Sequence, residues 1–445
     1  MLTRSSLLFP TRLLLTALLT GIILPCLSQV QPDAGNWKTY FLNVSEANIA
    51  APPGKDQTHK ELASIKENVR KQDDKKLQEI KYWDAGAPSY RWNEMAAGMV
   101  TFRDFGIFLR TPTAWMNMAI YDATIAAWKA KYSHLRKRPS QMDPTIKPLV
   151  AVPATPSYPC EHTVTAAAAA NVLAYFFPNS ADSILNLAKQ ASASRVNAGV
   201  QFQSDVDAAW KLGEQAAMRI IEEAKKDGSD AKWTGTMHND PKRWRGEYPV
   251  GITAASFKPI VLKSANQFRP APPPDFEKDM QELKNFKPDF QTIHTAYYWA
   301  NLTGFDIWTQ LASQKIFEYR LDRNTPMCAR IYSTLHVSIH EASIVIMDAK
   351  YAYWGIRPVQ YDTTYKPLIF TPPFPGYPSG HATASSTAAT VLEHFFPADA
   401  AFFRKTAKEC ADSRFYAGIH FQTDNRVGLE VGKALGDYVY SMRGK

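Results

Sequence analysis

The chain is built from one sequence used twice, and this repeat constrains its fold more than any other feature. Residues 131–213 align without a gap on residues 350–432 at a constant offset of 219, with 33 of the 83 aligned positions identical. Tyr158-Pro-Cys-Glu-His162 faces Tyr377-Pro-Ser-Gly-His381, and Ala198-Gly-Val-Gln-Phe-Gln-Ser-Asp205 faces Ala417-Gly-Ile-His-Phe-Gln-Thr-Asp424. Upstream, residues 119–125 face 338–344 at the same offset, and Tyr82, Trp83 and Trp92 face Tyr298, Trp299 and Trp308 at an offset of 216. The repeating unit is most of a domain. A chain of 445 residues also exceeds what one core holds, since single cores stop growing near 250 to 300 residues, so two core-forming units follow.

Each unit reads as helical. The apolar stretches 116–128, 162–177 and 205–224, and in the second copy 331–347, 381–396 and 426–440, are rich in Ala and Leu and show no sustained period-two alternation. The expected fold is all-α, two helical bundles forming a pseudo-symmetric pair. Residues 78–224 form the first bundle and 289–445 the second. The Pro- and Lys-rich stretch 225–288, with Pro270-Ala-Pro-Pro-Pro274, connects them, and 29–77 form an arm that wraps the outside. Trp83, Trp92, Trp299 and Trp308 are read as core.

Residues 1–28 read as a signal peptide: Arg4 and Arg12, an apolar stretch from Leu13 to Leu27, then Ser28. The expectation is an exported protein, periplasmic or secreted, with no membrane span in the mature chain. Pro25 beside Cys26 argues against lipidation. Losing the leader takes the net charge from +9 to 9 − 2 = +7, which suits an anionic ligand, while the dispersed basic residues and the absence of a nucleic-acid motif argue against nucleic acid. With 45% hydrophobic and 12% aromatic residues, disorder is excluded. Cys160, Cys328 and Cys410 remain, an odd number without metal-binding spacing, so buried free thiols are expected.

Three clusters in the second copy carry chemistry. Lys350 and Arg357 stand seven residues apart, on one face if the segment is a helix. Together with Arg414 they would neutralise a multiply charged oxyanion, the guanidinium groups forking onto pairs of oxygens. Ser379 and Gly380 precede a helix, whose N-terminal N–H groups favour negative charge. His381 and His420 supply a proton donor and a nucleophile or ligand, and Asp424, one turn beyond His420, can hold that ring through its other nitrogen. His336 and His340 at i, i+4 face no evident third ligand, and the first copy has Asn117 and Tyr121 there, so no metal site is expected from them.

The ordered set Lys-x6-Arg-Pro, Pro-Ser-Gly-His and Ser-Arg-x5-His-x3-Asp resembles the signature of the type 2 phosphatidic acid phosphatase (PAP2) and vanadium-dependent haloperoxidase superfamily. Every signature position is filled. Tyr377-Pro-Ser-Gly-His-Ala-Thr383, Gly418-Ile-His-Phe421 and Arg357-Pro-Val359 look more like the haloperoxidase branch, as does a pair of helical bundles. The resemblance implies that Lys350, Arg357, Ser379, Gly380 and Arg414 hold the oxygens of vanadate or phosphate. It makes His420 the axial vanadium ligand in a peroxidase or the nucleophile in a phosphatase, and His381 the acid-base group. Vanadate is then the cofactor of a peroxidase acting on peroxide and halide, whereas a phosphatase acting on phosphomonoesters needs none. A non-catalytic anion-binding scaffold is the third reading. The first copy keeps Lys131, Arg138, His162 and Arg195 but has Gln201 for His420 and Cys160-Glu161 for Ser379-Gly380. It reads as a degenerate, structural half, in which Glu161 puts negative charge where an anion would sit.

Overall fold

Two long helices, one from each half, pack together at the centre. The structure, a computed structural model, describes residues 30–47, 49–100, 104–301 and 306–444; the leader, with Cys26, lies outside the described residues. The first half holds α1 (Lys55–Arg70), α2 (Asp74–Asp84), α3 (Tyr90–Met99), α4 (Phe105–Arg110), α5 (Pro112–His134), α6 (Pro139–Met142), α7 (Glu161–Phe176), α8 (Ala181–Asn197) and α9 (Gln203–Ala224). The second holds α10 (Glu277–Asn285), α11 (Phe290–Asn301), α12 (Asp306–Glu318), α13 (Thr325–Tyr353), α14 (Pro358–Tyr361), α15 (Gly380–Phe395), α16 (Ala400–Tyr416) and α17 (Gln422–Arg443). The fold is all-α, with no β-sheet among the described residues. Thr111, just before α5, bonds His340 Nδ1 of α13 at 2.6 Å, while Arg330 of α13 lies close enough to Tyr121 of α5 to act on its hydroxyl. Thr111 pairs with Arg330, and Tyr121 with His340, at the offset of 219, so the halves are related by a pseudo-twofold between these helices.

Both central helices are buried on nearly every face, surrounded by protein. Val337, Ala342 and Val345 of α13 share one continuous core with Met116, Ile120 and Ala123 of α5, so the halves are fused rather than merely apposed. Trp92, Trp299 and Trp308 are fully buried and Trp83 nearly so. Small residues set the packing distance of the outer helices. A Cβ on Gly213 of α9 would lie 2.6 Å from the Val164 carbonyl of α7, and its counterpart Gly432 of α17 meets the Thr383 carbonyl of α15 in the same way. Cys160, Cys328 and Cys410 are buried free thiols.

The repeat reaches further than the sequence alignment. Glu61 of α1 accepts from Ser204 N–H and hydroxyl, and Asp279 of α10 accepts from Thr423 N–H and hydroxyl, the residue 219 further on. Tyr158 donates to the Ala50 carbonyl as Tyr377 does to that of Ala271. Asp122 of α5 accepts from the N–H groups of Tyr40, Phe41 and Leu42, and Glu341 of α13 from those of Ile260 and Val261. The arm and the later part of the connecting stretch are thus the same element in each half, and each is anchored on a buried carboxylate.

Burial pushes Glu341 up to about 7 against the pull of these N–H donors, and one carboxylate oxygen has no partner. A carboxyl whose folded value lies above its unfolded one stabilises the fold at low pH, and that contribution is lost as pH rises from about 4.5 to about 7. Glu341→Gln should therefore gain stability relative to the parent across this window, by on the order of 3 kcal/mol at 1.36 kcal/mol per pK unit. Urea melts at pH 4.5 and pH 8 check this: an unchanged difference between the two proteins would refute the protonation of Glu341.

Candidate active site

A cavity of about 60 Å3 opens between the end of α13, the start of α15 and the turn before α17, and Lys350, Arg357, Gly380, His381 and His420 line it. Lys350 sits in the last turn of α13, but the helix stops at Tyr353, where Trp354 takes a left-handed φ of 52°. Arg357 lies beyond in extended backbone, capping α14. The expectation that the seven-residue spacing places Lys350 and Arg357 on one helix face is therefore corrected: a chain reversal, not helical periodicity, brings them together. Leu135 makes the same left-handed turn after Lys131 in the first half.

Ser379 is the N-cap of α15, its hydroxyl accepting from Ala382 N–H, and Gly380 is the first helical residue. A Cβ at Gly380 would approach only Ile346 Cγ2 at 3.6 Å and Lys350 Cε at 4.0 Å, so the glycine leaves open space over the lysine. His420 Nδ1 donates to Asp424 Oδ2 at 2.9 Å, which leaves the Nε2 lone pair to accept from Arg357 Nη1 at 2.9 Å. Arg357 also donates to the Phe374 and Ile419 carbonyls, while its Nη2 is buried without a partner. Arg414, behind the cavity, donates to Ser413 and to the Ala296 carbonyl. Burial, reinforced by Arg414, Arg357 and Lys350, holds His381 well below the usual imidazole range. Burial and the charges of Arg357 and Lys350 do the same to His420, so both rings are neutral. Burial lowers Arg357 and Arg414 to about 10 and drives Lys350 down, while it pushes Asp424 up against the cations.

The same atoms in the first half show what the second lacks. Lys131 donates to the Pro156 and Ser157 carbonyls and to Glu161 at 2.7 Å, and Arg138 reaches Glu161 at 3.0 Å and Thr155 Oγ1 at 3.0 Å. Gln201 Nε2 also donates to Glu161. Arg195 donates to the Ile80 carbonyl and to Asp84 at 2.8 Å. The Glu161 carboxylate thus sits on this Lys–Arg pair as a built-in anion. In the second half Gly380 stands for Glu161, Ala300 for Asp84 and Phe374 for Thr155. Lys350 keeps the two equivalent carbonyls, Pro375 and Gly376, and turns its third donor to Pro378. Asp424 is the acid that acts on Lys350 and Arg357, and Arg357 Nη2 has nothing to bond. A vanadate or phosphate ion fits this donor set: it would supply the charge that Glu161 and Asp84 supply in the first half. The Asp84-to-Ala300 change is legible in the sequence at the offset of 216.

No group of three or more His, Cys, Asp or Glu residues able to hold a metal cation occurs among the described residues, so His336 and His340 form none. His340 instead bonds Thr111 and packs its ring against Trp115. No described helix is long and apolar enough to cross a membrane.

Residues 113–222 match the PAP2 superfamily, and residues 399–444 match the second helical-bundle domain of vanadium chloroperoxidases (VCPO). No curated protein matches the chain. Among solved structures, a bacterial vanadium-dependent iodoperoxidase is similar over 88% of this chain and 98% of its own, at a TM-score of 0.59 and 21% identity. A bacterial vanadium-dependent chloroperoxidase in its holo form is similar over 77% of this chain and 92% of its own, at a TM-score of 0.58 and 17% identity. Each half thus contains a segment that matches a model of a family of enzymes, PAP2 in the first and VCPO in the second, and the fold is similar to that of the bacterial vanadium haloperoxidases.

Proposed function

We propose that the chain is a vanadium-dependent haloperoxidase-like enzyme that oxidises halide with hydrogen peroxide, exported after loss of residues 1–28. The observation that carries the reading is the exchange of Glu161 and Asp84 for Gly380 and Ala300, which removes from Lys350, Arg357 and Arg414 the carboxylates that pair with their counterparts in the first half. Lys350, Arg357, Arg414 and the Gly380 N–H would hold the oxygens of vanadate, with the Ser379 hydroxyl, and His420 Nε2 would bond the metal. Bound there, vanadate supplies a Lewis-acidic centre that activates peroxide toward halide. Asp424 keeps the His420 lone pair aimed into the cavity by accepting from Nδ1–H. Neutral His381 is ready to take a proton from an incoming peroxide and return it to a leaving oxygen.

The same tautomer of His420 suits a phosphomonoesterase, in which Nε2 attacks phosphorus and His381 protonates the leaving oxygen. The match of residues 113–222 to the PAP2 superfamily keeps this second reading in view. Vanadate separates the two. Added to the apo-protein, it should create bromination of monochlorodimedone in the presence of peroxide. In a phosphatase it should instead inhibit aryl phosphate hydrolysis competitively, as a mimic of the pentacoordinate transition state. Neither effect, together with no calorimetric binding of vanadate, would leave the anion-binding scaffold without its anion and sink the oxyanion reading.

A further inference from the structure

We infer that the catalytic cavity is a composite of both halves, whose apolar wall takes an aromatic ring carried on, or lying against, the bound oxyanion. The inference rests on the oxyanion reading above and adds a substrate class to it. Below, the cavity is cationic; above, it is apolar. Phe105, Phe108 and Leu109 of α4, in the first half, line the second-half site together with Met347 and Phe374. The Phe105 ring stacks on Phe108 at 5.8 Å and 21°, and on Phe374 at 5.4 Å and 17°, so three nearly parallel rings stand over the floor. Phe374 lies 5.4 Å from Lys350 Nζ and 5.3 Å from the Arg357 guanidinium carbon, joining wall to floor.

The fold does not require this wall. The corresponding cavity of the first half, about 260 Å3, has Glu161 and His162 in its floor, Thr155 in the place of Phe374, and Asp322 and Arg323 of the second half at its edge. One architecture therefore carries a wall without aromatic rings over the floor sealed by Glu161 and an aromatic wall over the floor that lacks such a seal. A ligand suited to the second is anionic at one end and flat and apolar at the other. Hydroxyl-rich groups such as sugars would lose water against the phenyl rings without gaining partners.

Phosphonates test this without turnover, because their carbon–phosphorus bond resists phosphatase chemistry. Calorimetry on the full mature chain without vanadate compares inorganic phosphate, methylphosphonate and phenylphosphonate. Phenylphosphonate should bind roughly tenfold or more tighter than methylphosphonate, as burial of one ring predicts. Phe105→Ala should remove most of that preference and leave methylphosphonate binding unchanged. Phe374→Thr, which installs the residue of the other half, should also remove it. Equal binding of the two phosphonates by the parent protein would overturn the aromatic subsite and leave the oxyanion floor standing. A preference surviving both substitutions would also overturn it, since the ring would then sit elsewhere. Binding of none of the three would overturn the oxyanion floor itself, and the subsite with it.

Discussion

Gly380→Glu should abolish oxyanion binding while leaving the fold intact. The substitution rebuilds in the second half the arrangement seen in the first, where Glu161 pairs with Lys131 at 2.7 Å and Arg138 at 3.0 Å. The position has room, because a Cβ there meets its nearest neighbour at 3.6 Å. The new carboxylate would reach Lys350 and Arg357 and satisfy the unpartnered Arg357 Nη2. Calorimetry with vanadate should show a loss of roughly a hundredfold or more, the several kcal/mol that occupying a buried charge pair is worth. Thermal melting should show no loss of stability, since buried cations gain a counter-ion. A variant that still binds vanadate as the parent does would mean that the ion sits away from Lys350 and Arg357.

His420→Ala should remove turnover almost completely, by roughly three or more orders of magnitude, as for other residues asked to bond the reacting centre directly. The fold should survive, because its counterpart Gln201 sits in the same turn without an imidazole, and His420→Gln tests that point with a residue the fold already accepts. Gln201→Ala should leave turnover unchanged. Equal losses from the substitutions at 420 and 201 would show that the two halves had been assigned the wrong way round. His420→Ala that keeps full activity would exclude this ring as ligand or nucleophile. Circular dichroism distinguishes a folded, inactive variant from one that fails to fold.

Much of the site was legible without coordinates because its residues recur at a fixed offset, and departures from the repeat mark where the halves differ in chemistry. Gln201 against His420 and Glu161 against Gly380 are of this kind. Other features were not legible. The meeting of Lys350 and Arg357 depends on a helix ending at Tyr353 and on Trp354, rather than the following Gly355, taking the left-handed conformation. Phe105 and Phe108 come from the other half, more than 200 residues away along the chain, and no local pattern could assign them to this cavity.

By itself the sequence determined the duplication, the helical class, the buried tryptophans and the residue types gathered for an anion, because periodicity and residue chemistry are local properties that survive in one dimension. The tertiary structure alone decided how far the duplication extends. Tyr40–Leu42 and Ile260–Val261 share backbone N–H bonds to Asp122 and Glu341 rather than side-chain identity, and backbone bonds leave little trace in sequence. It also decided which charges are neutralised. Whether a buried lysine or arginine has a counter-ion depends on distances of about 3 Å between residues far apart in the chain, and packing sets those distances.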